Sequence, residues 1–349
     1  MKKLNTGSII VGKLPEGCML CQQGAKTVLF VTGLCARRCF YCPLGLDRKG
    51  VDVIYVNERK VRKYKDIIDE AVKMDALGTG LTGGDPLLTP GRTIKLIKLL
   101  KENMGSDHHV HLYTTGTVKS LQVYRKLVQA GLDEIRFHPS RKDWSVLKQV
   151  RKIIDIPFGG EIPVIPGHAK EAIEFLKFMD EIGADFVNLN ELEFSDTNSL
   201  NLLQRGLKLA AGSYAAVEGS LEEGIKILRW GEENTGLNLH LCPVSVKDKV
   251  QTRLRFYRTA VNVAEPYETV TDEGTLITLR VEGSRSELMQ LIHDLALPKE
   301  LVGFGKPGAI FIHPEFLDEL LRRKGNRFKL YIWERLPTPG RALVSSTPV

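Results

Sequence analysis

"KTVLFVTGLCARRCFYCPLG", residues 26–45, joins a β-like run to a loop with cysteines at C-x3-C-x2-C spacing: Cys35, Cys39 and Cys42. The apolar stretch from Val28 to Val31 reads as a buried strand. The cysteines therefore follow a strand's C-terminal end, the edge of a parallel α/β sheet where sites assemble. Three thiols this close suit an iron–sulfur cube, in which one of four irons would lack a protein ligand. Such an iron stays open to a small molecule that binds through nitrogen and oxygen. Three free thiols on a loop would instead invite oxidation. Zinc would require a fourth ligand nearby.

Outward from this stretch, short β-like runs alternate with amphipathic helical patterns. Strands are expected at 26–33, 77–84, 109–116, 133–139, 157–165 and 184–194, with helices at 64–76, 91–104, 120–132, 144–154 and 169–183. In the helical stretches apolar residues recur at i, i+3 and i+4. Regular strand–helix alternation implies βαβ units around a parallel sheet. Six units are too few for an eight-fold barrel, so a partial (β/α)6 barrel is the expected α/β architecture. A helix pair at about 200–212 and 220–235 precedes "NLHLCPV". Beyond residue 262 hairpin-like runs around Asp272-Glu273-Gly274, a Ser-capped helix from "SRSELMQLIHDL" and further strands predict a small α+β appendage. The expected division is residues 1–25, an N-terminal segment carrying C-x2-C; 26–245, the barrel; and 246–349, the accessory region. The tail 341–349 is expected to fray.

The cysteine loop resembles the signature of the radical S-adenosylmethionine (SAM) superfamily, which has an aromatic residue before the last cysteine; here that residue is Tyr41. The resemblance implies that Cys35, Cys39 and Cys42 hold a [4Fe–4S] cluster whose open iron takes the amine and carboxylate of SAM. An electron from a reductant such as ferredoxin or flavodoxin would then yield a 5′-deoxyadenosyl radical that abstracts hydrogen from substrate. "LTGGDPLL" is similar to the superfamily's Gly-Gly-Glu motif, with Thr82, Gly83 and Gly84 offering backbone groups to the SAM amine. Asp85 stands in place of the usual Glu. "YTTG" is similar to the third strand end, with Thr115 and Gly116 lining the SAM pocket. By the same resemblance Arg136, His138, Ile165 and Pro166 fall at the fourth and fifth strand ends, where ribose and adenine bind.

A second set of donors is separate from these. Cys18-x2-Cys21 precedes the first strand, and His240 and Cys242 lie some 220 residues later. C-x2-C is half of a metal knuckle. If the chain closes back on its start, the four form a Cys3His set for zinc or an auxiliary iron–sulfur cluster. The alternative is a core histidine, a buried cysteine and an unconnected C-x2-C. Clustered cysteines in a chain without an export signal argue for metal over disulfides.

At the sixth strand end Asn188 and Asn190 fall on one face and Glu191 and Glu193 on the other; either one set faces a cavity or the stretch is a capped strand end leading to Ser195 and Asp196. His108, His109 and His111 lack ligand spacing with the cysteines and read as surface and strand-start residues. Trp333, beside Tyr331, reads as core. The net charge of +7 and pI near 9.0 suit either an anionic partner or a charge-rich surface. Lys247, Lys249, Arg253, Arg255 and Arg258, against only Asp248, interleave Phe256 and Tyr257 as RNA-binding surfaces do, or form a solvated helix face. No apolar run approaches the ~20 residues of a membrane span, and a cytoplasmic protein is expected.

The "C-x2-C…T-x2-C-x3-C-x2-C" start resembles an archaeal subgroup related to pyruvate formate-lyase activating enzyme. Three functions follow as expectations: hydrogen abstraction from a substrate protein or small molecule, the same chemistry on tRNA, or a non-catalytic iron–sulfur protein for electron transfer or sensing.

Overall fold

Seven parallel strands frame the first of two units in the computed structural model, which describes residues 1–305, 307–323 and 328–349. The first unit comprises residues 1–72 and 76–252, and the second residues 73–75 and 253–349.

In the first unit the chain runs β1 (Lys2–Lys3), β2 (Ile9–Val11), α1 (Glu16–Gln22), β3 (Lys26–Thr32), β4 (Tyr55–Val56), β5 (Arg59–Lys60), α2 (Lys65–Lys73) and β6 (Gly78–Gly83). Then come α3 (Pro90–Met104), β7 (His109–Thr114), α4 (Leu121–Gln129), β8 (Glu134–Phe137), α5 (Trp144–Arg151), β9 (Phe158–Val164), α6 (Ala169–Glu181) and β10 (Phe186–Glu191). It closes with α7 (Ser199–Leu203), α8 (Ser220–Asn234), β11 (Asn238–Cys242) and α9 (Val244–Val246), followed by a π-helical stretch, Lys247–Thr252. The sheet order is β1-β2-β11-β10-β9-β8-β7-β6-β3-β4-β5. All pairings from β3 through β11 are parallel, whereas β4 on β3 and β2 on β11 are antiparallel and cover the two edges. The partial barrel of six strand–helix units is present. "NLHLC" adds a seventh parallel strand that the six-unit count left out.

Strand periodicity sorts two kinds of residue onto two faces. Val110, Leu112, Ile135, Phe137, Leu189 and Leu241 join the core with Leu96, Leu127, Leu147 and Leu228 of the covering helices. Each such buried side chain contributes about 1.5–3 kcal/mol of hydrophobic stabilisation. The alternate positions are polar: His109, His111 and Tyr113 on β7, Glu134 and Arg136 on β8, Glu161 on β9, Asn188 and Asn190 on β10, His240 and Cys242 on β11. A strand buried on both faces of a parallel sheet usually reads as a continuous apolar run. This interior is therefore built as a polar site.

The surface expectation for His108, His109 and His111 is corrected, because all three are buried, with His111 fully so. Period-two alternation turns His109 and His111 inward, and His108 meets the hydroxyl of Thr79 at 2.8 Å. The helix expected over 200–212 is also shorter. It ends at Leu203, and Gly206, at φ +75°, turns the chain into a return held by the bridges Leu209↔Val217 and Glu193↔Ala216. Among the described residues no helix is long and apolar enough to cross a membrane.

The second unit is the expected α+β appendage. It carries α10 (Arg253–Val263), β12 (Thr269–Val270), β13 (Leu276–Glu282), α11 (Arg285–Asp294), β14 (Val302–Phe304), β15 (Ala309–Ile312), α12 (Leu317–Arg323), β16 (Lys329–Arg335) and β17 (Leu343–Pro348). Its antiparallel sheet has the order β14-β15-β13-β16-β17, with β12 on β13. Ser284 caps α11 in a reciprocal capping box with Glu287, as its sequence predicts. The tail does not fray. Although β17 is exposed, its backbone pairs with Tyr331–Arg335 along the sheet edge.

Candidate functional site

Where β3 ends, the cysteine loop is pinched at its neck: Gly33 N–H donates to the Val51 carbonyl, and Gly50 N–H to the Gly33 carbonyl, both at 2.9 Å. The Gly83-Gly84 pair packs directly on this neck. Gly84 N–H donates to the Thr32 carbonyl and Asp85 N–H to the Leu34 carbonyl, each at 2.7 Å. A Cβ on Gly84 would lie 2.6 Å from the Gly33 carbonyl oxygen, so only glycine permits the approach. These two N–H groups are engaged, which leaves carbonyl oxygens as the acceptors this turn offers an amine.

Beyond the neck is a cavity of about 820 Å³. Cys35, Cys39, Cys42 and Tyr41 line it from the loop after β3; Thr82, Gly83 and Gly84 from β6; Thr115, Arg136 and His138 from the ends of β7 and β8. Ten residues singled out from the sequence thus border one space. Four others do not. Asp85 is fully buried below the wall, where its carboxylate accepts from Leu87 N–H, the Thr114 hydroxyl, and both the N–H and hydroxyl of Thr115. It ties the end of β6 to the end of β7 and has no face toward the cavity. Gly116, at φ +70°, abuts Leu147 and Phe137 on the helix side, while Ile165 packs against the small apolar cluster of Leu192, Leu202 and Val217. Pro166 lies next to Gly219.

Tyr41 and His138 join loop to sheet. The Tyr41 hydroxyl lies 2.8 Å from His138 Nε2, His138 Nδ1 lies 2.7 Å from the Glu161 carbonyl, and Arg37 donates to the His138 carbonyl at 2.7 Å. Burial raises the Cys39 thiol, but hydrogen bonds from His138 and Tyr41 outweigh it and hold its pKa below the ordinary cysteine value. The Cys35 thiol is raised, chiefly by burial. All six cysteines are free.

A second cavity, of about 490 Å³, lies further inside and shares Thr82, Tyr113, Arg136, Glu161, Asn190 and Lys247 with the first. Here Arg136 is 1% exposed and forms ion pairs with Glu134 and, at 3.0 Å, with Glu161. Asn188 and Asn190 donate to Glu161 at 3.1 and 3.0 Å. Burial alone would raise the Glu161 carboxyl; Arg136 and the two asparagines hold it below its usual range. The pair Glu191 and Glu193 has other partners, Val244 N–H at 2.7 Å and Lys247 Nζ at 3.0 Å. Cys18, Cys21, His240 and Cys242 all border this inner cavity, brought together from both ends of the unit.

Sequence reasoning missed Lys26, Tyr113, Glu161 and Lys247. The signal was available for three of them: each is a polar residue at an inward, alternate position of a strand. Lys247 was read instead as the start of a basic face. It pairs with Glu193 within the inner cavity, while Arg258 pairs with Asp75 at 2.8 Å and Arg253 donates to the Asp272 carbonyl.

Among the described residues no three His, Cys, Asp or Glu side chains stand close enough to share one metal ion. The ligands of an iron–sulfur cube bind different irons, so they border a space and need not meet at a point. Cys35, Cys39 and Cys42 border such a space, and three thiols would leave one corner of a cube without a cysteine.

A partial α/β barrel with a three-thiol loop at its first strand end, facing a cavity walled by the next strand ends, defines a cofactor-dependent enzyme class. The profile of the Radical SAM superfamily matches residues 29–155. A protein of Methanocaldococcus jannaschii that bears the name "putative glycyl-radical enzyme activating enzyme" is 35% identical over 97% of this chain and 93% of its own length. PqqA peptide cyclase of Granulibacter bethesdensis is 26% identical over 30% of this chain and 26% of that protein. Among solved structures, Streptococcus suis SuiB bound to S-adenosylmethionine gives a TM-score of 0.44 at 12% identity, covering 62% of this chain and 50% of that one. The chain belongs to the radical SAM superfamily and is related to the activating enzymes within it.

Proposed function

We propose that Cys35, Cys39 and Cys42 hold a [4Fe–4S] cluster and that the chain uses SAM to abstract hydrogen from a glycine of a partner protein. The observation that carries the reading is that ten of the residues singled out border one 820 Å³ cavity at consecutive strand ends. When bound, the cluster would pass one electron to the SAM sulfonium, giving methionine and a 5′-deoxyadenosyl radical.

The protein's own groups prepare that space. The glycine turn at Gly83-Gly84 presses against the cysteine neck and fixes where an amine donating to its carbonyls would lie. Tyr41 and His138 hold the cysteine loop against the end of β8, so the thiols keep their places when the cavity fills. Thr115, itself anchored by Asp85, supports the opposite wall. The hydrogen donor is read from the relationship to activating enzymes over nearly the full length of the chain. The RNA alternative has weaker support, because Lys247, Arg253 and Arg258 each already have protein partners.

The test is anaerobic reconstitution, reduction and assay for 5′-deoxyadenosine, repeated with protein extracts grown on α-deuterated glycine. Deuterium in 5′-deoxyadenosine supports the full reading. Deuterium arriving only from a labelled small-molecule or tRNA fraction overturns the substrate, and no SAM cleavage by the reduced protein overturns the reaction.

A further inference from the structure

α1 carries Cys18 and Cys21 one turn apart, which places them on one face of the helix. That helix packs against β3, β6 and β7, and Cys18 is buried among inward-facing residues. On β11, Cys242 and His240 are two positions apart, hence on the same side of the strand, and both are buried. β11 reaches α1's neighbourhood because β2 pairs with it, His240 opposite Ile10. Three thiols and an imidazole from residues 18 to 242 therefore border one space of about 490 Å³.

His240 is prepared as a ligand. Its Nε2 lies 3.1 Å from the hydroxyl of Ser8, which is fully buried and also accepts from Gln22 at 3.0 Å. With Nε2–H donating to Ser8, the lone pair falls on Nδ1, which is buried without a partner. A ring nitrogen fixed by an outer hydrogen bond while the other is left free is the usual arrangement of a metal-ligating histidine. Cys18 Sγ already receives N–H groups from Arg136 at 3.2 Å and Asn188 at 3.3 Å. Such donors stabilise a thiolate bound to a cluster. The cavity wall also carries Lys26, Arg136 and Lys247 against Glu161 and Glu193, with Glu134 paired to Arg136 behind it.

We propose that Cys18, Cys21 and Cys242, with His240 as fourth ligand, bind a second iron–sulfur cluster inside the barrel. Zinc fits less well. Tetrahedral zinc with bonds of about 2.0–2.3 Å draws its ligands to one point, and no three donors among the described residues are so placed. A cluster takes ligands that surround a volume. This one shares a wall with the SAM cavity through Arg136, Tyr113 and Glu161.

Two reciprocal variants test the proposal by metal content and spectroscopy, with no appeal to activity. Cys35→Ala/Cys39→Ala/Cys42→Ala, reconstituted anaerobically with iron and sulfide, is expected to keep about half the parent's iron and a reducible cluster signal. Cys18→Ser/Cys21→Ser is expected to lose the other half while its remaining signal still responds to SAM, which shows that the chain is folded. His240→Ala is expected to remove a nitrogen hyperfine coupling from the signal of the first variant. No iron in the first variant, zinc in place of iron, or parent-level iron in the second overturns the proposal. An iron-free first variant would leave the assignment of Cys35, Cys39 and Cys42 intact, so the two assignments fail separately.

Discussion

The hydroxyl of Tyr41 lies 2.8 Å from Nε2 of His138, across 97 residues of sequence, and joins the cysteine loop to the end of β8. The same imidazole is fixed from its other side by the Glu161 carbonyl. Loop position thus depends on a ring held at both nitrogens.

Tyr41→Phe removes one of those bonds and leaves the ring otherwise in place. A loss of about 1 kcal/mol in stability is expected, with faster bleaching of the cluster on exposure to air because the loop is less firmly held. Thermal denaturation and the decay of visible absorption check the two effects. Unchanged bleaching would remove the positioning role of Tyr41.

Gly84→Ala places a methyl group against the Leu34 and Gly33 carbonyls, where neither backbone can yield cheaply. Destabilisation of about 1–3 kcal/mol is expected, together with reduced iron uptake by the cysteine loop. Gly91→Ala is the control. Nothing lies within 4 Å of its added Cβ, and alanine is the better helix former, so equal or slightly greater stability is expected. Chemical denaturation of the pair decides whether the close approach or glycine itself matters.

Arg136→Met should be among the most damaging changes. Glu134, which is buried, and Glu161, which is partly exposed, would lose their shared cation, and removing one partner of a buried pair costs about 3–5 kcal/mol. Denaturant midpoints measure it. A change below about 1 kcal/mol would show that the interior is wetter than its burial implies.

The buried histidines set an acid limit. Burial, aided by the nearby Lys101 ammonium, lowers His108 to about 4. The unfolded chain would take up a proton near pH 6.5, whereas the folded chain resists until about pH 4. Between those values unfolding is favoured by up to about 1.4 kcal/mol per pH unit, and above pH 6.5 this contribution is flat. His109 and His111 are lowered too, again chiefly by burial, and act in the same direction. Stability measured from pH 8 to 4 should fall below about 6.5, and His108→Gln should make that fall shallower. An identical profile for the variant would exclude His108 as a source.

Much of this was legible in the sequence because two periodicities carried it. The helical repeats and the run of strands gave the partial barrel, and the C-x3-C-x2-C loop fell where a parallel sheet assembles its sites. What escaped was the barrel's interior. In "HVHLYT" the alternation of His109, His111 and Tyr113 with Val110 and Leu112 is the mark of a strand with one polar face, yet the histidines had no metal-ligand spacing and were read as exposed. The error came from judging each side chain by its spacing along the chain, when its neighbours lie across the sheet. Asp85 shows the converse. The motif around it named the right turn, but four donors from three residues claim its carboxylate, and no linear pattern reveals hydroxyls arriving from Thr114 and Thr115. "NLHLC" was noticed for its cysteine and not as a strand, because five residues after a long helix carry little periodic signal.

The antiparallel seam between Ile9–Val11 and Leu239–Leu241 gives the molecule a particular order of completion during synthesis. The amino-terminal residues leave the ribosome first, yet their partner strand emerges some 230 residues later. Until then the nascent half-barrel is open along that side, with its thiols reachable from solution. His240 and Cys242 lie on that late strand, so the inner set of donors is complete only once the seam has closed.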